Sequence, residues 1–70
     1  MKVVLYGSET CGKCKILKKR LDEASVQYDE QYDPDIVENA IGDNRIPVLC
    51  VDGEMLNFSR SIVWIKEMAN

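Results

Sequence analysis

The chain has 70 residues, with nine Lys and Arg against twelve Asp and Glu, a net charge of −3 and no histidine. Such a length predicts a single domain over residues 1–70 that buries only about 60% of the surface of its unfolded form. The acidic balance argues against nucleic acid as a partner, because phosphate binding relies on clustered Lys and Arg, and no apolar run approaches the ~20 residues of a membrane span.

The opening Met1 to Tyr6 is too short an apolar stretch for a secretory signal, so the expected location is the cytoplasm, with no membrane partner. Within it, Lys2 to Tyr6 is β-branched and aromatic and reads as a strand ending at Gly7. Loop residues follow, with Thr10 placed to cap a helix. From Gly12 to Ser25, Ile16, Leu17, Leu21 and Ala24 recur at helical spacing and predict a buried stripe. Val26 to Tyr28, with Tyr32, reads as a short second strand.

Asp33-Pro34 then opens a second helix, with Asp33 accepting free amides and Pro34 suited to the first helical position. Ile36, Val37, Ala40 and Ile41 form its expected apolar stripe, and Gly42 ends it. After the loop from Gly42 to Arg45, Ile46 to Val51 is a continuous apolar run, which predicts a strand covered on both faces. Asp52-Gly53 is a strong hairpin signal, so Glu54 to Asn57 returns antiparallel. Ser59 is placed to cap a last helix, with Ile62, Ile65 and Ala69 on one side and Trp64 and Met68 on another.

The order is β-α-β-α-β-β-α. A helical crossover makes the first two strands parallel and right-handed, and the hairpin makes the last two antiparallel. The fold class is therefore α/β: a four-stranded mixed sheet with three helices, placed on both faces. Lys13, Lys15, Lys18, Lys19 and Arg20 crowd the first helix. They read either as a solvated face, supported by Lys18–Asp22 and Lys19–Glu23 pairs at i,i+4, or as a docking surface for an acidic partner.

Three cysteines is an odd number, which suits a reducing compartment better than a disulfide framework. The absence of histidine removes Cys–His nucleophilic chemistry and His-ligated zinc. Cys11-Gly12-Lys13-Cys14 stands where the first strand hands over to the first helix. Two intervening residues on a first helical turn bring both sulfurs within disulfide reach and leave one more exposed. Cys11 faces the free amides and positive end of the helix, and the Lys13 ammonium is near; both favour a thiolate, the attacking species. Cys14, one turn in, is placed to attack an adjacent mixed disulfide. Cys50 is the only other thiol, so a closed mononuclear metal site would need a carboxylate or a second chain, and no resident metal is expected. Cys50 and Trp64 read as core, and Tyr6 as a strand-end aromatic able to pack beside the thiols.

Pro47, at the head of a buried strand, is a position where a cis peptide often occurs. Taken together, the Cys11–Cys14 motif, Ile46-Pro47, the Asp52-Gly53 hairpin and the terminal helix resemble glutaredoxins and the thioredoxin superfamily over the whole chain. The resemblance implies a thioredoxin fold in one glutaredoxin-like domain and a dithiol thiol–disulfide oxidoreductase that reduces protein disulfides as an electron donor. It implies Cys11 as nucleophile, Cys14 as resolving thiol, supporting roles for Lys13 and Pro47, and a backbone bridge from Ile46 to a disulfide-containing protein substrate.

Several positions depart from the glutaredoxin pattern. Gly12 and Lys13 replace Pro-Tyr, Ser8 stands where a glutathione-holding Lys is usual, and Arg45-Ile46-Pro47 replaces Thr-Val-Pro. Leu56-Asn57-Phe58-Ser59 replaces the Gly-Gly-Cys-Asp type of segment and looks more like redoxins served by thioredoxin reductase. The implied reductant is thus glutathione, contacted through Arg45 and Ser59, or a thioredoxin-reductase-type flavoprotein. No bound cofactor is expected, and the chain is expected to be a monomer. The competing reading is a module that bridges an iron–sulfur cluster between two chains through Cys11.

Overall fold

The computed structural model describes residues 1–42 and 45–69. The loop expected over Gly42 to Arg45 therefore has Asp43 and Asn44 outside the described residues. Elements run β1 Val3–Tyr6, α1 Gly12–Glu23, β2 Asp29–Gln31, α2 Pro34–Ile41, β3 Val48–Val51, β4 Glu54–Leu56 and α3 Phe58–Ala69. The sheet order is β2-β1-β3-β4, with β1 parallel to β2 and antiparallel to β3, and β4 antiparallel to β3. The architecture is the expected mixed sheet with three helices.

Register builds the core. Leu5 pairs with Leu49, and Leu49 with Leu56, so three leucines line one face in a row across three strands. Leu17 and Leu21 from α1 and Ile65 from α3 close over them, and Val3 completes the cluster. Leu5, Leu17, Leu21 and Leu49 are wholly buried. Removing such a side chain typically costs ~2–5 kcal/mol, so this layer carries much of the stability of so small a domain. Trp64, Phe58 and Ile62 pack around its edge, as expected of Trp64.

The other face is thinly covered. Alternation sends Val4 and Tyr6 of β1 away from the core, where they pair with Cys50 and Val48. Only α2, eight residues long with Val37 its one buried residue, is available on that side. Cys50 and Val48 consequently stay half-buried, and the expectations of a strand covered on both faces and of a buried Cys50 are corrected. Ile16 and Ile36, expected in buried stripes, are each 46% exposed.

Local chemistry explains the shifted boundaries. Val26 does not begin a strand, because its amide donates to the Leu21 carbonyl while Ser25 donates to Asp22, closing α1 with Ser25 in the left-handed region at φ 57°. Strand pairing then starts only at Asp29, opposite Val4. Tyr28 donates its hydroxyl to Asp22 at 3.2 Å, so Asp22 serves Tyr28 instead of the expected Lys18. Asp33 caps α2 through the Asp35 amide, and Gly42 ends it at φ 79°. Asn57, not Ser59, caps α3: its Oδ1 accepts from the Arg60 amide at 2.9 Å. Ser61 is fully buried on α3, with its hydroxyl donating to the Asn57 and Leu56 carbonyls. No helix among the described residues is long and apolar enough to cross a membrane.

Candidate active site

The site grows from the junction of β1 and α1. Cys11, rather than Thr10, is the helix cap: its backbone is extended (φ −83°, ψ 117°) and its sulfur accepts from the Cys14 amide at 3.2 Å. Thr10 turns instead to Ser8, whose hydroxyl lies 3.1 Å from its own and accepts from its amide. A sulfur in the capping position receives an N–H and the positive end of α1 together, a setting suited to negative charge. Cys11 is half-exposed, whereas Cys14, one turn on, is only 1% exposed.

Cys14 is packed from beneath by the end of β1. A Cβ at Gly7 would lie 2.5 Å from its sulfur, and the Tyr32 ring comes close to the same point. Burial pushes the Cys14 thiol up to about 11, aided by its hydrogen bond to Cys11 and opposed by the Ser8 backbone. The two thiols therefore differ in the way a stepwise exchange requires, one accessible and the other holding its proton under cover.

The remaining expected residues do not all converge on this pair. The Ile46–Pro47 peptide bond is cis, Pro47 is buried, and Ile46 lines a groove with Gly7, Ser8, Tyr32, Pro34, Val37 and Glu38. That groove begins where the β1 loop covers Cys14. Arg45 is exposed at its approach. Ser59 is not brought to it, because it lines a separate depression between β4 and α3 with Arg60, Val63 and Trp64. Lys13 extends its ammonium over the Phe58 ring, 5.4 Å from the centroid, tying the motif to the start of α3. Tyr6 faces the thinly covered side of the sheet with Val4 and Ile36.

Gly7, Tyr32 and an ion pair were not singled out from the sequence. Lys18 reaches Glu30 of β2 at 3.0 Å and sits over the Tyr32 ring at 5.7 Å. The spacing of Lys18, one turn beyond Cys14 on α1, was the available signal. Its partners lie on a strand whose position only the fold reveals. Among the described residues, no three Cys, Asp or Glu are grouped so as to hold a metal ion.

No family model and no curated protein matches the chain. Among solved structures it is similar to a mutant form of the thioredoxin-like protein BC3987, with a TM-score of 0.79 at 22% identity, over 96% of this chain and 92% of that one. The parallel β1–α1–β2 unit, the antiparallel β3–β4 hairpin and the closing α3, together with that likeness, give this chain the thioredoxin-like fold, with Cys11 and Cys14 close together at the start of its first helix.

Proposed function

We propose that the chain is a glutaredoxin-like dithiol oxidoreductase that reduces protein disulfides in the cytoplasm, acting as a monomeric electron donor. The observation that carries this reading is the asymmetry of the pair, a half-exposed sulfur that caps α1 and accepts from the amide of a buried cysteine.

The Cys11 thiolate attacks one sulfur of the substrate disulfide, forming a Cys11–substrate bond and expelling the other substrate sulfur as a thiolate. Cys14 then gives up its proton and attacks the Cys11 sulfur, and the second substrate thiolate leaves. Two electrons pass to the substrate, which departs as a dithiol once both sulfurs are protonated, and a Cys11–Cys14 disulfide remains. The groove lined by Ile46, Gly7 and Ser8 supports docking of the substrate chain, with the Ile46 backbone as its hydrogen-bonding edge. Glutathione or a flavoprotein reductase returns the pair to the dithiol; the distance of Ser59 from the groove and the replaced glutathione-gripping positions favour the flavoprotein.

Incubation of Cys14→Ser with a disulfide-bonded test protein should accumulate a covalent adduct on Cys11, visible by intact mass, while Cys11→Ser should be inert. Adducts on Cys11→Ser and none on Cys14→Ser would overturn the assignment. Supplying glutathione or a flavoprotein reductase separately to the oxidised parent identifies the reductant.

A further inference from the structure

The resolving thiol has the harder task in this scheme. Cys14 must become a thiolate inside the protein, where burial is the largest cause of its reluctance to ionise. Once Cys11 is tied up in a mixed disulfide it no longer adds its own charge or hydrogen bond to that reluctance, and burial is what remains to be offset.

An opening that Ile46 does not line reaches Cys14. Ser8, Glu9, Lys15, Lys18, Glu30 and Tyr32 line it with Cys14 itself, and its volume is about 240 Å³. At ~30 Å³ per water in the liquid, it has room for several molecules, enough to carry a proton to solvent. Its charged groups are Glu9 from the loop, Lys15 and Lys18 from α1, and Glu30 from β2; Tyr32 and Cys11 are its titratable neighbours, and Glu38 of α2 lies across the adjoining groove. Lys15 lines the opening too, but among the described residues no ion pair or ring contact is seen to hold its ammonium there, as Glu30 and Tyr32 hold that of Lys18. Lys18, at i+4, shares the face of Cys14, with Cβ atoms about 5–6 Å apart for that spacing.

Lys18 is also held in place. Its ammonium is fixed by the Glu30 carboxylate at 3.0 Å and by the Tyr32 ring. Glu30 first, and then Tyr32, hold its charge above the ordinary lysine range, so it is cationic throughout the working range of pH. Burial, followed by Glu30, holds Tyr32 above its ordinary value, so it stays neutral beside Cys14. As a half-exposed surface pair, Lys18–Glu30 adds little stability. Lys18 and Cys14 line the same opening.

We propose that Lys18 is a positioning residue of the resolving step, whose ammonium, held by Glu30 and Tyr32 at the mouth of the Cys14 opening, meets the negative charge that the Cys14 sulfur acquires as its proton leaves through water. The inference rests on the dithiol reading, with Cys14 as the resolving thiol.

Dithiobis(nitrobenzoate), mixed with excess reduced protein in a stopped flow, separates the steps. Release of the first coloured thiolate reports attack by Cys11, and release of the second reports attack by Cys14. Following the second release against pH gives the profile of the resolving step. Lys18→Gln should move the midpoint up by about half a pH unit and slow the second release roughly threefold at neutral pH. Lys18→Arg should stay near the parent. Glu30→Gln, which removes the countercharge and leaves the ammonium, should move the midpoint the other way. A merely structural ion pair is lost equally in Lys18→Gln and Glu30→Gln, so shifts of the same sign, or no shift in either, would overturn the proposal. A parent that shows no second release would instead overturn the dithiol reading on which it stands.

Discussion

Gly7 stands so close to Cys14 that a Cβ on it would lie 2.5 Å from the cysteine sulfur and 3.2 Å from its Cβ. Gly7 is buried and tied to β2 by its amide, which donates to the Gln31 carbonyl at 3.1 Å, so it has no room to retreat. Cys14, at 1% exposure, has little more. Glycine is used here for close approach of backbone to side chain.

Gly7→Ala should therefore lower stability by ~1–3 kcal/mol, as overpacking of a dense site does. It should also displace the Cys14 sulfur and slow closure of the Cys11–Cys14 disulfide. Urea denaturation and the second release of nitrobenzoate measure the two effects. An unchanged closure rate in a folded Gly7→Ala protein would show that the sulfur accommodates the methyl group without losing its alignment.

The proton on Cys14 should make the reduced protein sensitive to alkali. Its thiol is raised from 9.0 to about 11 in the fold, so the unfolded chain releases this proton first as pH rises. The stabilising contribution is full below about 9 and is lost between about 9 and 11, with an upper bound of roughly 2–3 kcal/mol. The disulfide form has no such thiol to titrate. Urea midpoints of the reduced parent and of Cys14→Ala, compared at pH 8 and pH 10.5, should diverge; parallel behaviour would mean that the buried thiol is not held protonated.

Ser25 occupies the left-handed region at φ 57°, where a side chain is unfavourable. Ser25→Gly should raise stability by about 0.5 kcal/mol, the relief at this position exceeding the extra freedom glycine gives the unfolded chain. Ser25→Val, β-branched, should lower it. Thermal melting of the three proteins gives the order, and a valine protein as stable as the parent would contradict it.

The cap of α3 offers a paired test. Asn57→Ala should cost ~0.5–2 kcal/mol, because Asn57 accepts the Arg60 amide. Ser59→Ala, two residues on and exposed, should fall within about 0.5 kcal/mol of the parent. Equal losses would mean that the helix begins elsewhere.

The sequence carries the architecture because its signals are local and repeat. The leucines at 17 and 21, the Asp33-Pro34 start, the Gly42 stop and the Asp52-Gly53 turn each act on their own neighbours. The errors arise where a group has two suitors. Val26 has a strand-forming side chain, but its amide closes α1, which delays β2 to Asp29. Thr10 and Ser59 are good capping residues beaten by Cys11 and Asn57, whose backbones hold the capping position. Ile16 and Ile36 have the periodicity of buried residues, yet among the described residues they are only partly covered. At the site, the closeness of Cys11 and Cys14 is legible from their spacing together with their place where β1 hands over to α1. Gly7, Tyr32 and Glu30 are not, since their approach to Cys14 and Lys18 depends on β1 and β2 lying side by side.

The position of β1 in the sheet has a consequence for how a working molecule comes into being. It pairs on one side with β2, which is near in sequence, and on the other with β3, some 45 positions away. Both thiols, Gly7, Lys18, Glu30 and Tyr32 belong to the half of the chain before α2. Ile46, Pro47 and Phe58 belong to the half after it. Pairing across so long an interval is the slow kind of contact to form. A nascent or partly opened chain thus holds Cys11 and Cys14 well before the β1–β3 seam seats Ile46 across from Gly7 and Ser8 and brings the Phe58 ring under Lys13.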